Sequence, residues 1–374
     1  MKRFLAVLLA LSMVFSLAAC GGEAQTSQPP VESKQAEANT PDPAQSAEPS
    51  AQPTQQPDSG AAELYLKKAN EVTVTDSAVV FTDDTGRGEL IIAKEPQNVA
   101  VLYGSLACLW YEAGGTIQIA IGGKSAATLY KEQIGRDFTG DEGVTIIAES
   151  SSGTNWDVES ILATKPDLIV CSTGMKGYET IGGPAEAVGI PVIGIDYDGV
   201  QDYLKWFKVF CNLTGHPELW DTVANATAQE IGTIVAGVPT DVEPLTSLSL
   251  VISAGEMKAY TIASQTGVII HELGGTNLID PDSSKTTTSL DVSLEDLYAL
   301  DPDVIFLTVR IDLESAQTDL EEIVGGSPVW EELRAVKEGR VYFLDKGLFF
   351  NKANHRYDES YRTIAQYLYP DHEF

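Results

Sequence analysis

The chain combines 374 residues with 54 acidic and only 24 basic side chains, which gives a formal net charge of −30 at pH 7. Phosphate groups repel a protein this acidic, which argues against binding to nucleic acids and against adsorption to anionic lipid surfaces. The length exceeds that of a typical single domain and predicts two lobes with separate cores.

The N-terminus has the layout of a secretory signal peptide. Lys2 and Arg3 precede an apolar run over residues 4–19, which ends in small residues directly before Cys20. A membrane-spanning helix is the alternative, but the run is short for a hydrocarbon core of about 30 Å, and no second apolar stretch follows. The pattern resembles a bacterial lipoprotein signal, which implies that the Cys20 thiol is lipidated and becomes the first residue of the mature chain.

The segment after Cys20 predicts a tether. Residues 21–60 consist mainly of Pro, Gln, Ser, Ala and Glu, with almost no large apolar side chain. Such a segment buries too little surface to offset chain entropy, so we expect a disordered connection between the lipid and the globular part.

The other three cysteines are predicted to be packing residues. Cys108, Cys171 and Cys211 stand in apolar contexts, are odd in number and lack metal-ligand spacing. Free cysteine usually behaves as a small core residue, so buried thiols are the expected state.

In the globular part, strand-like runs alternate with helix-like runs, the pattern of an α/β protein with mainly parallel sheets. The first half predicts, in chain order, a strand at 98–102, a helix at 105–114, a helix at 157–164, a strand at 167–170, a helix at 182–188 and a strand at 192–196.

A long helix is predicted to join two related halves. Apolar residues recur at helical spacing from Leu219 to Val238, without an internal proline. A strand at 248–252 then opens a second series, and residues 292–307 repeat the helix, Pro-Asp turn and strand of residues 158–170. The sequence therefore predicts two similar lobes on either side of one connecting helix.

Several short motifs follow one another in an order typical of one protein family. They are Phe81-Thr82-Asp83-Asp84-Thr85-Gly86-Arg87, the strand at 99–102, the segment 158–170, Gly189-Ile190-Pro191-Val192, Leu273-Gly274-Gly275-Thr276-Asn277 and Ser327-Pro328-Val329-Trp330. Together they resemble the solute-binding proteins of ABC importers for iron complexes, haem and cobalamin, from residue 82 to residue 370. The resemblance implies two α/β lobes bridged by one long helix, with the ligand in the cleft and little hinge bending.

The expected domain organisation has five segments. They are a lipoprotein signal peptide at 1–19, a lipidated cysteine and tether at 20–60, an N-terminal α/β lobe at 61–215, the connecting helix at 216–240 and a C-terminal α/β lobe at 241–374.

Ligands of open α/β sheets bind beyond the carboxyl ends of the strands, so the loops that follow the strands supply the candidate residues. Aromatic faces and cations there would suit a rigid, often anionic chelate. Arg310 could clamp a carboxylate bidentately or, equally, form a surface ion pair with Asp312 or Glu314. The predicted ligand-binding residues are Tyr103, Met175, Lys176, Tyr260, Arg310 and Lys352.

Two glutamates are predicted to dock the protein on its transporter. The family resemblance implies one acidic residue on each lobe, which meets an arginine pocket on each permease subunit. The matching residues are Glu159 and Glu295, at equivalent places in the two halves. Stabilisation of a helix N-terminus is the alternative role, since acidic residues are common in the first turn.

Nothing in the sequence indicates catalysis. It contains no Gly-x-Ser-x-Gly elbow, no His-Glu-x-x-His, no phosphate-cradling glycine loop and no dinucleotide fingerprint. We expect no enzyme, no cofactor and no resident metal. The expected function is that of a monomeric lipoprotein on the cell membrane, which captures an iron-siderophore-type complex and delivers it to an ABC permease dimer with its cytoplasmic ATPase. A haem or cobalamin receptor of the same class, or a surface adhesin, is the alternative.

Overall fold

The computed structural model describes residues 59–148, 156–253, 255–351 and 355–374. All of them belong to one compact unit, which comprises residues 55–374. Cys20 and Lys352 lie outside the described residues. Within the described ranges, none of the helices is both long and apolar enough to cross a bilayer.

The described part of the chain opens with a helix and a small antiparallel sheet. Helix α1 (Ser59–Asn70) is followed by the strands β1 (Thr73–Val74), β2 (Ala78–Thr82) and β3 (Glu89–Ala93), which pair in the order β1-β2-β3. The helix includes two residues of the predicted tether. Tyr65 and Ala69 of this helix are buried against the rest of the protein, and this tertiary packing stabilises the helix.

The first large sheet is entirely parallel. Its strands run in the order β6-β5-β4-β7-β8, and the apolar runs of β4, β7 and β8 are buried, as expected of a sheet covered on both faces. The strands are β4 (Val99–Val101), β5 (Ile119–Ile121), β6 (Thr145–Ala148), β7 (Leu168–Ser172) and β8 (Val192–Ile195), and the helices are α2 (Gly104–Glu112), α3 (Lys124–Ile134), α4 (Val158–Ala163), α5 (Lys176–Ala187) and α6 (Val200–Leu213).

Helix α5 begins six residues before the helix predicted at 182–188. Glycine and proline at positions 182–184 weaken the helical signal of the sequence. Tertiary packing overrides it, because Gly177 lies so close to the Trp156 ring that a Cβ atom would stand 2.2 Å from Cε3.

The predicted connecting helix is present and has two parts. A π-helical stretch, Trp220–Asn225, passes directly into α7 (Ala226–Ala236). Gly232 allows α1 to approach closely, since a Cβ atom there would lie 2.9 Å from the Ala62 amide nitrogen.

The second large sheet is mixed. Its order is β11-β10-β9-β12-β13, in which β9, β12 and β13 are parallel and β10 is antiparallel to both of its neighbours. The strands are β9 (Ser247–Ser253), β10 (Glu256–Tyr260), β11 (Ser289–Asp291), β12 (Val304–Val309) and β13 (Val341–Leu344), and the helices are α8 (Gln265–Glu272), α9 (Leu294–Leu300), α10 (Leu313–Val324), α11 (Pro328–Glu332), α12 (Arg334–Lys337), α13 (Lys346–Phe349) and α14 (Tyr357–Leu368). The predicted class, α/β with mainly parallel central sheets, is confirmed.

The two halves repeat one turn in three dimensions. Asp167 follows α4, and its carboxylate accepts a hydrogen bond of 3.0 Å from the Asn98 amide, just before β4. Asp303 follows α9, and its carboxylate accepts one of 3.0 Å from the Thr246 amide, just before β9. In both halves the Pro-Asp turn therefore fixes the start of the neighbouring strand, which is the repeat seen in the sequence.

The hydrophobic core continues from one half to the other. Tyr203 on α6 packs against Tyr357 on α14 with ring centroids 5.6 Å apart, and both rings are buried. A large relative rotation of the halves would expose these rings to water, which makes it unfavourable.

The three cysteines within the described residues are free and buried, as predicted. Burial raises the pKa of the Cys171 thiol to about 12. Because the thiolate is the reactive form, a thiol in this state packs rather than reacts at neutral pH.

Candidate ligand-binding site

A cavity of about 470 Å³ brings together loops from both halves of the molecule. Tyr103 and Met175 line it from the first half, while Arg310, Phe350 and Asn351 line it from the second. Tyr103 follows β4, Met175 follows β7, and Arg310 follows β12. The rule that ligands bind beyond the carboxyl ends of the strands, which we call the strand-end rule, thus accounts for the convergence of three predicted ligand residues.

A second cavity of about 990 Å³ adjoins the first and shares Ser125, Arg310 and Lys346 with it. Lys124 contributes from α3, and Arg356 from the segment before α14. We refer to the two cavities together as the cleft. The second cavity is lined by α3 on one side and by residues at and after the ends of β12 and β13 on the other.

Tyr260 lines a smaller cavity of about 210 Å³, which shares Phe350 with the cleft. Burial raises the pKa of the Tyr260 phenol, although the positive charge of Arg310 opposes the shift. The phenol therefore stays neutral and keeps its proton for hydrogen bonding at physiological pH.

The remaining predicted ligand residues are not brought into the cleft. Lys176 is the exposed first residue of α5 and is not among the residues that line these cavities. Lys352 lies outside the described residues. Within the part of the chain that the structure describes, no three His, Cys, Asp or Glu side chains are grouped as metal ligands.

Arg310 stacks on an aromatic ring. Its guanidinium carbon lies 4.8 Å from the centroid of Phe350. The alternative ion pair with Asp312 is not found, since that carboxylate caps α10 and accepts hydrogen bonds of 2.9 and 2.8 Å from Ser315. A guanidinium held by its flat face keeps its N–H donors free along the edge, where a carboxylate could bind.

The charged residues that line the cleft include one more cation than anions, although the whole chain carries a net charge of −30. Arg356 forms two hydrogen bonds with Glu359, at 2.7 and 2.6 Å, and Lys346 lies 4.0 Å from Glu132. Lys124 and Arg310 form no ion pair with any described residue. The charged residues lining the cleft are Lys124, Arg310, Lys346 and Arg356, against Glu132, Asp312 and Asp345.

Sequence reasoning missed the first turn of α3. The signal was present, because Gly122 and Gly123 directly follow the buried strand β5, and Lys124 and Ser125 come next. The strand-end rule applied to β5 would have found this turn. Phe350 directly follows α13, and its position under Arg310 depends on the fold of that helix.

Glu159 and Glu295 occupy the same position in two equivalent helices. Each is exposed and is the second residue of its helix, α4 or α9. Other side chains cap the two N-termini, since Asp157 accepts from the Ser160 amide at 3.1 Å, and Ser293 forms a capping box with Asp296. The helices therefore do not need the two glutamates as caps.

The sequence is similar to several curated bacterial proteins. It is 25% identical over 275 residues to the Fe(3+)-citrate-binding protein YfmC of Bacillus subtilis (strain 168), a match that covers 72% of this chain and 79% of that protein. It is 23% identical over 285 residues to the putative ABC transporter substrate-binding lipoprotein YhfQ of the same organism, covering 72% of this chain and 82% of the relative.

Solved structures share the fold. The triscatecholate siderophore binding protein FeuA from Bacillus subtilis, complexed with ferri-bacillibactin, matches with a TM-score of 0.58 and 18% identity, covering 78% of this chain and 98% of that chain. A periplasmic heme binding protein from Pseudomonas aeruginosa matches with a TM-score of 0.55 and 17% identity, covering 74% and 94%. A family model described as periplasmic binding protein matches residues 99–348, more than half of the chain. The chain therefore belongs to the periplasmic binding protein family, whose members bind solutes and are not enzymes.

Proposed function

We propose that this protein is the extracytoplasmic solute-binding lipoprotein of an ABC importer, which captures an iron-siderophore-type complex and delivers it to a permease. Membership of the periplasmic binding protein family supports the class of function. The names of its relatives, which include an Fe(3+)-citrate-binding protein and a siderophore binding protein, support an iron chelate as the cargo.

The observation that carries the proposal is the pair of unpaired cations in the cleft. Lys124 and Arg310 come from opposite halves of a strongly acidic chain, line one cavity and have no ion-pair partner among the described residues. Unpaired charges of one sign in a concave site attract a ligand of the opposite sign. Ferric chelates are bulky and often anionic, and the Phe350 ring adds a flat apolar contact for them.

The proposed partners are a permease dimer and its cytoplasmic ATPase. Glu159 and Glu295 would each bind an arginine pocket on one permease subunit, since both are exposed and neither is needed as a cap. Paired charge contacts of this kind fix orientation and accelerate encounter more than they increase affinity.

The proposed location is the outer face of the cell membrane. A lipid on Cys20 would hold a monomer through the tether, with the lobes at 61–215 and 241–374 on either side of the helix at 216–240. Relatives that are named substrate-binding lipoproteins support this arrangement.

Ligand titration tests the proposal. The full chain, purified in detergent, is titrated with ferric citrate, a ferric catecholate, a ferric hydroxamate, haemin and cobalamin while tryptophan fluorescence is followed. Saturable quenching by one ferric chelate at sub-micromolar concentration supports the importer role and names the cargo. Saturable quenching by haemin or cobalamin alone would identify that compound, and not a ferric chelate, as the cargo. No fluorescence change with any compound, from folded protein, favours the adhesin alternative.

A further inference from the structure

We infer that the N-terminal turns of α2 and α3 together form an oxyanion subsite of the cleft, which holds a carboxylate arm of the ligand opposite Arg310. This inference rests on the proposed function and deepens it, because it selects chelates with peripheral carboxylates over charge-poor ones. We call these two turns the paired N-termini; they comprise residues 103–106 and 123–126.

Both turns reach the same cavity. Gly104 and Ser105 at the start of α2 line the cavity of about 470 Å³, and so do Ser125 and Ala126 at the start of α3. Arg310 lines this cavity from the other half of the molecule. A small ligand group held there would contact two helix ends and a facing cation.

The paired N-termini have unused backbone donors. The first intrahelical bonds are donated by Ala107 to the Tyr103 carbonyl at 2.9 Å and by Ala127 to the Gly123 carbonyl at 3.0 Å. Neither Tyr103 nor Gly123 caps its helix with a side chain. The amide groups before Ala107 and Ala127 thus point out of each helix at its electropositive end, a geometry that binds anions.

Small residues keep the backbone accessible. At Gly123, the N-cap of α3, φ is +87°, a conformation that L side chains rarely adopt. A Cβ atom on Gly122 would lie 2.6 Å from Ile146 Cγ2, and one on Gly104 would lie 2.8 Å from Leu129 Cδ2. Glycine at 104 therefore allows α2 to pack closely against Leu129 of α3, and glycine at 122 allows the chain before α3 to pass close to β6.

Two buried side chains independently indicate a ligand. Ser105 is only 5% exposed, lines the cavity and makes no hydrogen bond through its hydroxyl to any described residue. Asn351 is 7% exposed, lines the same cavity from the other half, and its Nδ2 lacks a partner among the described residues. Buried polar groups are almost always hydrogen-bonded, so a bound oxyanion would supply the acceptor that the protein does not offer to Asn351 Nδ2.

A matched pair of substitutions at Lys124 isolates the backbone contribution. Lys124→Gln removes the charge, whereas Lys124→Pro removes the charge and one free amide at the first helical position, where proline is well tolerated. Each variant of the full chain, in detergent, is titrated with ferric citrate and with a ferric hydroxamate that lacks carboxylates. Lys131→Gln, on the last turn of the same helix, is the control for net charge, because its side chain is exposed and lines neither cavity.

The expected dissociation constant for ferric citrate rises about tenfold from Lys124→Gln to Lys124→Pro, the change typical of one charge-assisted hydrogen bond. Ser105→Ala, which preserves the backbone, weakens binding about fivefold. Lys131→Gln binds as the wild type does. A ferric hydroxamate, if bound, has the same affinity for both Lys124 variants.

Three outcomes overturn the inference. Equal ferric citrate affinity in both Lys124 variants, together with an unchanged Ser105→Ala variant, removes the subsite and leaves the importer role intact. Binding of the ferric hydroxamate but not of ferric citrate by the wild type has the same meaning. Failure of the folded wild type to bind any ferric complex overturns the proposed function and the inference with it.

Discussion

The two sides of the junction between the halves differ in how their charges are used. On the cleft side, Lys124 and Arg310 have no ion-pair partner among the described residues. On the α1 side, Lys68 pairs with Asp202 at 2.5 Å, and Glu272 accepts hydrogen bonds from Tyr65, at 2.8 Å, and from Tyr361. Charges that stabilise the fold are paired within the chain, whereas those left unpaired are available to ligands and partners.

The charges on the α1 side stabilise the fold, as the contacts of helix α1 show. It lies against α6 of the first half through Lys68 and against α8 of the second through Tyr65. Burial and the neighbouring Glu272 raise the pKa of the Tyr65 phenol, which therefore remains a hydrogen-bond donor throughout the physiological range. The helix thus connects the two halves through an ion pair on one side and a hydrogen bond on the other.

The largest expected effect is on delivery. Glu159→Lys combined with Glu295→Lys should abolish uptake of the ferric complex in cells and leave its dissociation constant unchanged, because both side chains are exposed and lie outside the cleft. Charge reversal at the two proposed docking contacts would replace attraction to the permease by repulsion. Radioactive iron uptake and titration of the purified variant measure the two quantities.

The double Glu142→Lys and Glu321→Lys variant serves as the control, since these side chains are also exposed but are not at equivalent helix starts. It changes the net charge equally and should import normally. Normal import by the Glu159 and Glu295 variant would return both glutamates to the role of helix stabilisation.

On the α1 side of the junction, Glu272→Ala should lower the free energy of unfolding by about 2–3 kcal/mol, because it removes the acceptor that two buried tyrosine hydroxyls share. Denaturant unfolding of the purified protein measures the change. Glu63→Ala on the exposed face of α1 should stay within about 0.5 kcal/mol of the wild type. Equal stability of the two variants would show that the Tyr65 and Tyr361 contacts do not fasten the halves.

On the cleft side, Arg310→Ala should weaken binding of an anionic ferric chelate by about 1.5–3 kcal/mol, the range for a charge-assisted hydrogen bond. Stability should hardly change, since the side chain is exposed and holds no ion pair with a described residue. Arg136→Ala removes an exposed arginine that is paired with Asp141 and serves as the control. Titration and denaturant unfolding together separate the two effects, and a loss of stability without a loss of affinity would reverse the assignment.

Much of the fold could be predicted from the sequence because its elements are strongly patterned. The repeat of residues 158–170 in residues 292–307 reflects a real equivalence, in which Asp167 and Asp303 bind the start of a neighbouring strand. The extent of α5 could not be read in the same way, since its first turn packs through Gly177 against Trp156, a contact between residues far apart in the sequence. Helix propensity depends on neighbouring residues in the sequence and cannot predict such a contact.

The cleft was only partly predictable for a related reason. Tyr103, Met175 and Arg310 lie in the loops after strands that the sequence reveals, and the fold brings them together. Lys176 also follows a strand, but it begins a helix and remains exposed outside the cleft. Position after a strand selects the correct edge of a sheet, whereas the direction of a side chain depends on the helix that follows.

The smallest expected effect concerns a polar contact between the halves. His355 Nδ1 lies 3.1 Å from the Glu112 carboxylate on α2, and the hydrogen bond to Glu112 raises the pKa of His355 above its ordinary value of 6.5. A histidine whose pKa is raised by folding adds stability below its unfolded pKa and loses that contribution as the pH rises through its folded pKa. Wild type should therefore exceed His355→Gln in stability by at most about 1 kcal/mol near pH 5.5, because the ring is partly exposed, and the difference should shrink above pH 7.

Burial raises the pKa of Glu112 as well, so deprotonation of this carboxyl at rising pH disfavours the folded state in the same direction. His372→Gln controls for the loss of a histidine elsewhere, as that ring packs edge-on against the C-terminal Phe374 with ring centroids 4.8 Å apart. Denaturant unfolding at pH 5.5, 6.5 and 7.5 measures the three proteins. If the stability difference between wild type and His355→Gln grows with pH, the contact is made by a neutral imidazole. The pair would then not be an ionic contact between the halves.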